Sequence, residues 1–289
     1  MGKLETTRYV FSGHESFPCK SLWLKKGYDF VKNGYDFNSP DAVIHLGVGK
    51  NMVAAIRYWL KAFSLIKDNK TTVIADYLLD SETGKDPYIE DSGTLWLLHF
   101  LIVNSRIASL YSLFFVHYQK ERKEFEREQV LNFIKRKMVE QGLEKMFNPN
   151  TVKKDIGVLF QNYTLPRTSQ SHEDYSNLLI DLDLLRLREE DKTYYFNFEG
   201  KRQLPPDCFL FALLSVVDSS NFNISFDQLQ ELGLVFCMNN LELLEMAKKL
   251  ADSYPNALAY SDVAGVRQLQ IIHSIDKMNV LDRYYESVL

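Results

Sequence analysis

Cysteine is scarce in this sequence: Cys19, Cys208 and Cys237 occur among 289 residues. They lie far apart and form no Cys-x-x-Cys pair, which argues against a zinc site. An odd, scattered set of cysteines indicates a reduced, cytoplasmic protein. The N-terminus also lacks an apolar run followed by a cleavage site, so we expect no signal peptide.

An excess of positive charge is also lacking. The chain has 34 Lys and Arg against 38 Asp and Glu, a formal net charge of -4. Nucleic-acid binding must therefore come from a local basic face, because the chain as a whole is not a polycation. With 46% hydrophobic and 25% charged residues, the composition is that of an ordinary globular protein, and the length suggests about two domains.

A long uninterrupted apolar run is absent as well. Residues 92–118 are strongly apolar, but His99, Asn104, Ser105 and Arg106 occur in the middle. A central arginine is costly in a membrane, and Asn-Ser is a turn signal. We therefore expect two buried helices with a break near Asn104 and Ser105, and no membrane span.

Common catalytic motifs are absent, including a nucleophile elbow and a glycine-rich dinucleotide loop. The stretch Gly47-Val48-Gly49-Lys50 resembles the end of a phosphate-binding loop. That motif needs glycine where the chain has Ile44, and Ser or Thr where it has Asn51. The sequence therefore argues against a nucleotide site here.

Most long apolar patterns recur at three- and four-residue spacing, which indicates helices, while strand signals are short. We predict a mainly α fold with small β wings, in tandem winged helix-turn-helix-like units joined by helical segments. The predicted segments are an N-terminal winged unit at 1–85, a helical middle at 86–145, a second winged unit at 146–205 and a C-terminal helical unit at 206–289.

In the N-terminal unit, a short helix capped by Ser39 ends at a turn at Gly47, and a second helix runs from about Gly49 to Leu65. A turn at Asp68-Asn69-Lys70 would begin a short wing. The second helix has a predicted core face with Met52, Ile56, Trp59, Leu60 and Phe63. The other face carries Lys50, Asn51, Ala54, Arg57, Tyr58 and Lys61.

Basic and amide side chains at the start of a second helix suit the reading of the DNA major groove. We predict that Lys50, Asn51, Arg57 and Lys61 face DNA and that Lys20, Lys25 and Lys26 extend the phosphate-binding face. The alternative is a solvated amphipathic helix without DNA, and the spacing does not decide between the two.

In the second winged unit, we predict a helix from Thr151 to Tyr163, a second helix over 176–187 and a strand over 193–198. Asp181 and Asp183 on the second helix disfavour DNA contact. We therefore expect this unit to serve packing or a homodimer contact.

Two acidic segments are candidates for catalysis. His14 and Glu15 could serve acid-base chemistry or bind a metal with remote partners. Asp86, Glu90 and Asp91 could hold Mg²⁺ or Mn²⁺ for phosphodiester cleavage. The alternatives are a capped loop at His14 and acidic residues at a helix N-terminus near Asp91.

The stretches "FSGHESFP", "LGVGKNMVAAIRYW", "DPYIEDSGTLWLLH", "TVKKDIGVLFQNY" with "HEDYSNLL", and "LDRYY" occur in this order over nearly the whole chain. In these motifs the chain resembles the bacterial family of domain of unknown function 4007. The resemblance implies a component of phage-defence and DNA phosphorothioation loci, which also encode a cysteine desulfurase, an ATPase and a sulfate-reductase-like protein. It implies no particular catalytic residue.

These observations lead to three hypotheses. The first is a DNA-binding component of a phosphorothioation or defence system, which binds duplex DNA and other proteins of its operon and presents DNA for modification. The second is a metal-dependent nicking endonuclease with His14, Glu15, Asp86, Glu90 and Asp91 as catalytic residues. The third is a non-enzymatic scaffold subunit or a transcriptional regulator.

Overall fold

The computed structural model describes residues 9–105, 107–166, 176–218 and 221–288. Contacts between residues divide the chain into two compact units, which contain the described parts of 9–197 and 198–288. Helices dominate both units, and the strands form small antiparallel sheets. The predicted mainly helical fold class is confirmed.

The first unit begins with helices around a short hairpin. Its elements up to residue 121 are α1 Trp23–Lys32, α2 Ala42–Leu46, α3 Lys50–Ala62, β1 Ile66–Lys67, β2 Lys70–Thr71, α4 Val73–Leu79, α5 Ser92–Asn104, α6 Ser109–Ser112, a π-helix Leu113–Tyr118 and α7 Gln119–Glu121.

The β1–β2 hairpin confirms the predicted turn at Asp68 and Asn69, whereas Lys70, predicted to belong to the turn, begins β2. Ile66 pairs with Thr71 and Lys67 with Lys70, which leaves a two-residue loop. Both loop residues have positive φ, 51° and 57°, as a type I′ hairpin turn requires. Asp and Asn tolerate this conformation better than most residues do, so the loop sequence explains the tight turn.

The break predicted near Asn104 and Ser105 is also confirmed. Helix α5 ends at Asn104, and the next helical stretch begins at Ser109. Among the described residues, no single helix is both long and apolar enough to cross a membrane, although α5 and residues 109–121, bent by 99°, pass that test as a pair.

The first unit continues with a three-stranded sheet. Its remaining elements are β3 Glu124–Phe125, α8 Arg127–Glu140, α9 Pro149–Tyr163, β4 Leu185–Arg188 and β5 Thr193–Phe196. The strand order is β3-β5-β4, so the first strand pairs with the last.

The helix predicted over 176–187 is wrong. Only Ile180–Leu182 form a short 3-10 turn, and Asp183 then adopts a left-handed conformation with φ 48°. The chain continues as β4, which pairs with β5. The leucine spacing that suggested a helix instead reflects buried residues in a turn followed by a strand.

The second unit was predicted to be helical, but it also contains a sheet. Its elements are α10 Pro206–Val216, β6 Asn223–Ser225, α11 Phe226–Val235, α12 Asn240–Ser253, β7 Leu258–Val263, β8 Val266–Ile271 and α13 Lys277–Val288. The strand order β6-β8-β7 again pairs the first strand with the last. Each unit therefore contains the order strand, helix, helix and hairpin.

Candidate nucleic-acid interface

The turn between α2 and α3 leaves the start of α3 exposed. Gly47 ends α2 with φ 63°, and Gly49 precedes α3 without a side-chain cap. A Cβ atom at either glycine would meet nothing within 4 Å. Lys50 and Asn51 are exposed, at a helix end where free N–H groups carry partial positive charge.

The buried face of α3 fixes the helix against α1. Ile56, Trp59, Leu60 and Phe63 are fully buried, as predicted, and Met52 is half-buried. A Cβ atom at Gly27 of α1 would lie 2.5 Å from Leu60 Cδ1. The two helices therefore approach too closely for any residue larger than glycine without local repacking.

Arg57, predicted to face DNA, forms hydrogen bonds to the hairpin loop and to the segment before α2. Its Nη1 donates to Asn38 Oδ1 and its Nη2 to Asn69 Oδ1, both at 3.0 Å. Its Nε is buried with no hydrogen-bond partner among the described residues. The side chain joins the segment before α2 to the hairpin loop, so it positions the β1–β2 hairpin beside α3.

Positive charge is concentrated on this segment. Residues 42–75 contain a single acidic residue, Asp68, and the basic residues Lys50, Arg57, Lys61, Lys67 and Lys70. Lys50, Lys67 and Lys70 are exposed. Partial burial lowers the pKa of Lys61 and the charge of Arg57 lowers it further, while Asp68 opposes both effects.

Lys25, predicted to bind DNA phosphates, is buried and forms hydrogen bonds within the first unit. Its ammonium donates to Asp29 Oδ1 at 2.6 Å, to the Leu79 carbonyl at 3.0 Å and to Ser81 Oγ at 2.7 Å. All three N–H groups of the ammonium are occupied. The prediction that Lys25 binds DNA phosphates is therefore corrected: its ammonium is held inside the first unit. Lys26 is exposed and Lys20 is half-buried; their contact with DNA stays a prediction.

His14 is buried between two helices of the first unit. Its Nε2 lies 3.0 Å from Asp155 Oδ1 of α9, and its ring stacks on Trp59 of α3 with centroids 5.9 Å apart. Its Nδ1 accepts from the Ser16 N–H at 3.1 Å. The same Asp155 carboxylate accepts from the Ser12 N–H at 2.7 Å.

This pattern makes the segment around His14 a structural connection. Nδ1 is an acceptor, so Nε2 carries the proton donated to Asp155. Cys19 N–H donates to Asn162 Oδ1 of α9 at 2.9 Å, which gives the segment a second attachment to the same helix. Glu15 is exposed, with φ 49°.

The Asp86 and Asp91 carboxylates before α5 accept hydrogen bonds from nearby backbone N–H groups. Asp86 is buried, and its oxygens accept the N–H groups of Glu90 and Asp91 at 2.9 and 3.0 Å. Asp91 caps α5 by accepting from Gly93 and Thr94. Glu90 is exposed. The arrangement matches the alternative in which these residues stabilise a helix N-terminus.

The candidate metal ligands do not converge. Within the described ranges, no group of three or more His, Cys, Asp or Glu side chains is arranged to hold a metal ion. The geometry therefore does not assemble His14, Glu15, Asp86, Glu90 and Asp91 into one centre. Their catalytic role stays a prediction.

Sequence reasoning missed Asp155 and Asn162, which attach the segment around His14 to α9. Asp155 lies 141 residues from its partner, so no local spacing could connect them. One signal was available: both are polar residues on the buried face of α9, among Val152, Ile156 and Leu159. A buried charge requires a partner.

Comparison with known proteins identifies the family. The model of the family described as protein of unknown function (DUF4007) matches residues 11–285. The chain belongs to this family. This confirms the resemblance inferred from the motifs, and the match extends over the α2–α3 segment, α9 and most of the second compact unit of this DUF4007 protein.

Two crystal structures of SspB are similar to this DUF4007 chain. The magnesium-ion-bound form has a TM-score of 0.86 and 25% sequence identity, over 98% of this chain and 91% of the SspB chain. Another SspB structure has a TM-score of 0.83 and 26% identity, over 97% of this chain and 89% of that one. No curated protein matched the sequence.

Proposed function

We propose that this DUF4007 protein is a component of a bacterial DNA phosphorothioation and phage-defence system and that it binds duplex DNA. The similarity to SspB and the resemblance of the motifs support the assignment of this protein to such a system. The order α2, turn, α3 and hairpin supports a winged helix-turn-helix, in which the second helix enters the major groove.

The concentration of basic residues on 42–75 carries the DNA proposal. A chain with net charge -4 places five basic residues and one acidic residue in this segment. The exposed start of α3 carries one of these five, Lys50, together with the amide of Asn51. A solvated helix without a ligand does not require such an imbalance, whereas phosphate binding does.

Each exposed side chain has a distinct role in this proposal. Lys50 neutralises a phosphate, and the amide of Asn51 hydrogen-bonds to a base edge, for which adenine is the usual partner. Lys67 and Lys70, on the two strands of the hairpin, bind phosphates beside the groove. Arg57 holds the hairpin in place through Asn38 and Asn69.

The test is duplex binding measured by fluorescence anisotropy over a salt series. We expect Lys50→Ala to weaken binding and to reduce the slope of log K against log salt by about 1. Lys249→Ala, which removes an exposed lysine from α12, is the matched control and should leave the slope unchanged. Equal slopes for wild type and Lys50→Ala would reject the proposed surface.

Strand nicking is a second candidate, because a similar SspB structure was solved with a magnesium ion. Glu15 and Glu90 are exposed, so their amide variants should fold. Supercoiled plasmid with Mg²⁺ or Mn²⁺ tests the hypothesis. Open-circle product that disappears in Glu15→Gln or Glu90→Gln would support these assignments; undiminished product in both would reject them.

A further inference from the structure

Helix α9 presents a polar stripe on its exposed side. Asn150, Lys154, Gly157 and Gln161 recur at four-, three- and four-residue spacing, and Lys153 lies beside them. This spacing places them along one face of a helix. All except the half-buried Gly157 are exposed, and the opposite face is buried.

Gly157 has no packing explanation. It lies inside α9, where glycine is less favourable than alanine. A Cβ atom there would meet nothing within 4 Å, whereas one at Gly27 of α1 would clash with Leu60 and Ile56. The fold needs the glycine in α1 but not the one in α9. A glycine on an exposed helix face allows another molecule to approach the backbone closely.

The position of α9 in the topology points to the same function. It is the second helix of the order β3, α8, α9 and hairpin, and β3 pairs with β5. In helix-turn-helix proteins the second helix of the pair is the one that enters the groove. α9 therefore occupies the recognition position of this unit.

Asp181 and Asp183, which disfavoured DNA contact in this unit, do not lie on its second helix. The structure places both residues after α9, and Asp183 pairs with Arg186. The acidic residue of α9 itself, Asp155, is buried against His14, so the charged side chains that α9 exposes are Lys153 and Lys154.

We propose that α9 is a second DNA-contacting helix, in addition to α3. Lys153 and Lys154 bind phosphates, Asn150 and Gln161 donate amide hydrogen bonds, and Gly157 permits close approach of the duplex. This inference rests on the proposed DNA-binding function, because it assigns a second helix to the same ligand.

His14 connects α3 to α9. Its ring stacks on Trp59 of α3, and its Nε2 donates to Asp155 of α9. Gly13 next to it lies against Tyr58, since a Cβ atom there would lie 2.7 Å from that ring. This buried connection fixes α3 and α9 relative to each other before any ligand binds, so that binding orders little of the protein.

The chain offers a closely matched pair of variants for the test. Lys153→Ala/Lys154→Ala and Lys248→Ala/Lys249→Ala each remove two adjacent exposed lysines, from α9 and from α12 at the same topological position. The α9 variant also loses an exposed ion pair between Lys153 and Glu128 at 3.4 Å, which contributes little to folding.

Between 50 and 200 mM salt, we expect wild type to lose about tenfold more duplex affinity than the α9 variant, because two phosphate contacts are missing. The α12 variant should follow wild type. If wild type binds duplex, Lys50→Ala weakens it and the α9 variant matches wild type, the role of α9 is overturned and the proposed function stands. Absence of salt-dependent binding by wild type overturns both.

Gly157 provides an independent readout. Gly157→Ala should raise the melting temperature, because alanine favours the helix and its Cβ enters open space. Gly157→Gln should also fold but should weaken duplex binding by obstructing the approach. A folded Gly157→Gln protein with unchanged affinity would show that DNA does not come close to this face.

Discussion

The two compact units contain the same order of strand, helix, helix and hairpin, but their second helices differ in surface chemistry. α9 exposes Lys153 and Lys154, and its acidic residue is buried. α12 contains two lysines together with three acidic residues, Glu242, Glu245 and Asp252. Of these two helices, only α9 exposes an excess of positive charge, which a phosphate backbone attracts.

The hairpins differ as well. Between β4 and β5, residues 189–192 form a charged loop, and Arg188 pairs with Glu124 and Asp191. Between β7 and β8, the tip is Ala264-Gly265, flanked by the exposed Val263 and Val266. The two units therefore share a topology, but the residues exposed on it differ, and those residues determine which ligand a unit can bind.

The largest expected effect concerns the way α9 is anchored. Asp155→Ala removes the acceptor of His14 Nε2–H and of Ser12 N–H. It should destabilise the first unit by about 3 kcal/mol, because two donors lose their charged acceptor and the buried one is left unpaired. Urea unfolding followed by tryptophan fluorescence measures this, since Trp23, Trp59 and Trp96 all lie in the first unit.

Asp155→Asn is the control for this prediction. It keeps an oxygen that can accept a hydrogen bond, so its loss of stability should be smaller than that of Asp155→Ala. No such polar anchor is needed to explain α12, which packs through buried apolar residues such as Leu243 and Leu250. If Asp155→Ala unfolds at the wild-type urea concentration, the connection through His14 is not what anchors α9.

A second prediction separates the glycine required by packing from the one that is not. Gly27→Ala should cost about 2 kcal/mol, because the new methyl group overlaps fully buried side chains of α3. Gly157→Ala should stabilise the protein by about 1 kcal/mol through helix propensity. Chemical denaturation of both variants checks the signs, and a stabilised Gly27→Ala protein would contradict the α1–α3 contact.

The smallest effect is expected at the second hairpin. Ala264 has φ 53° next to Gly265 at 82°, a type I′ turn in which Asn is preferred at the first position. Ala264→Asn should stabilise the β7–β8 hairpin by about 1 kcal/mol, visible as slower amide exchange in both strands. Duplex affinity should remain unchanged; a change would implicate this hairpin in the DNA interface.

Local patterns allowed part of the fold to be predicted. The core face of α3, the turn at Asp68 and Asn69, and the break after Asn104 depend on residues close in sequence, so spacing revealed them. The glycines around Val48 also marked the exposed start of α3, which remains the centre of the candidate interface.

The remaining features depend on contacts between distant residues. β3 is two residues long and is defined by its pairing with β5, about 70 positions later. The leucines between 178 and 187 satisfy a helical spacing, yet Asp183 turns the chain and the next residues form β4, which pairs with β5. The His14–Asp155 contact and the place of α9 between α8 and the β4–β5 hairpin likewise became visible only in the folded chain.

Site-specific photocrosslinking to duplex DNA tests most directly whether α3 contacts DNA. A benzophenone amino acid replaces the exposed Ala54 on α3 or, as the control, the exposed Leu241 on α12. We predict a covalent protein–DNA adduct from position 54 that salt suppresses, and little adduct from position 241. No adduct at position 54, or equal yields at both, would contradict the assignment of α3 as the DNA-binding helix.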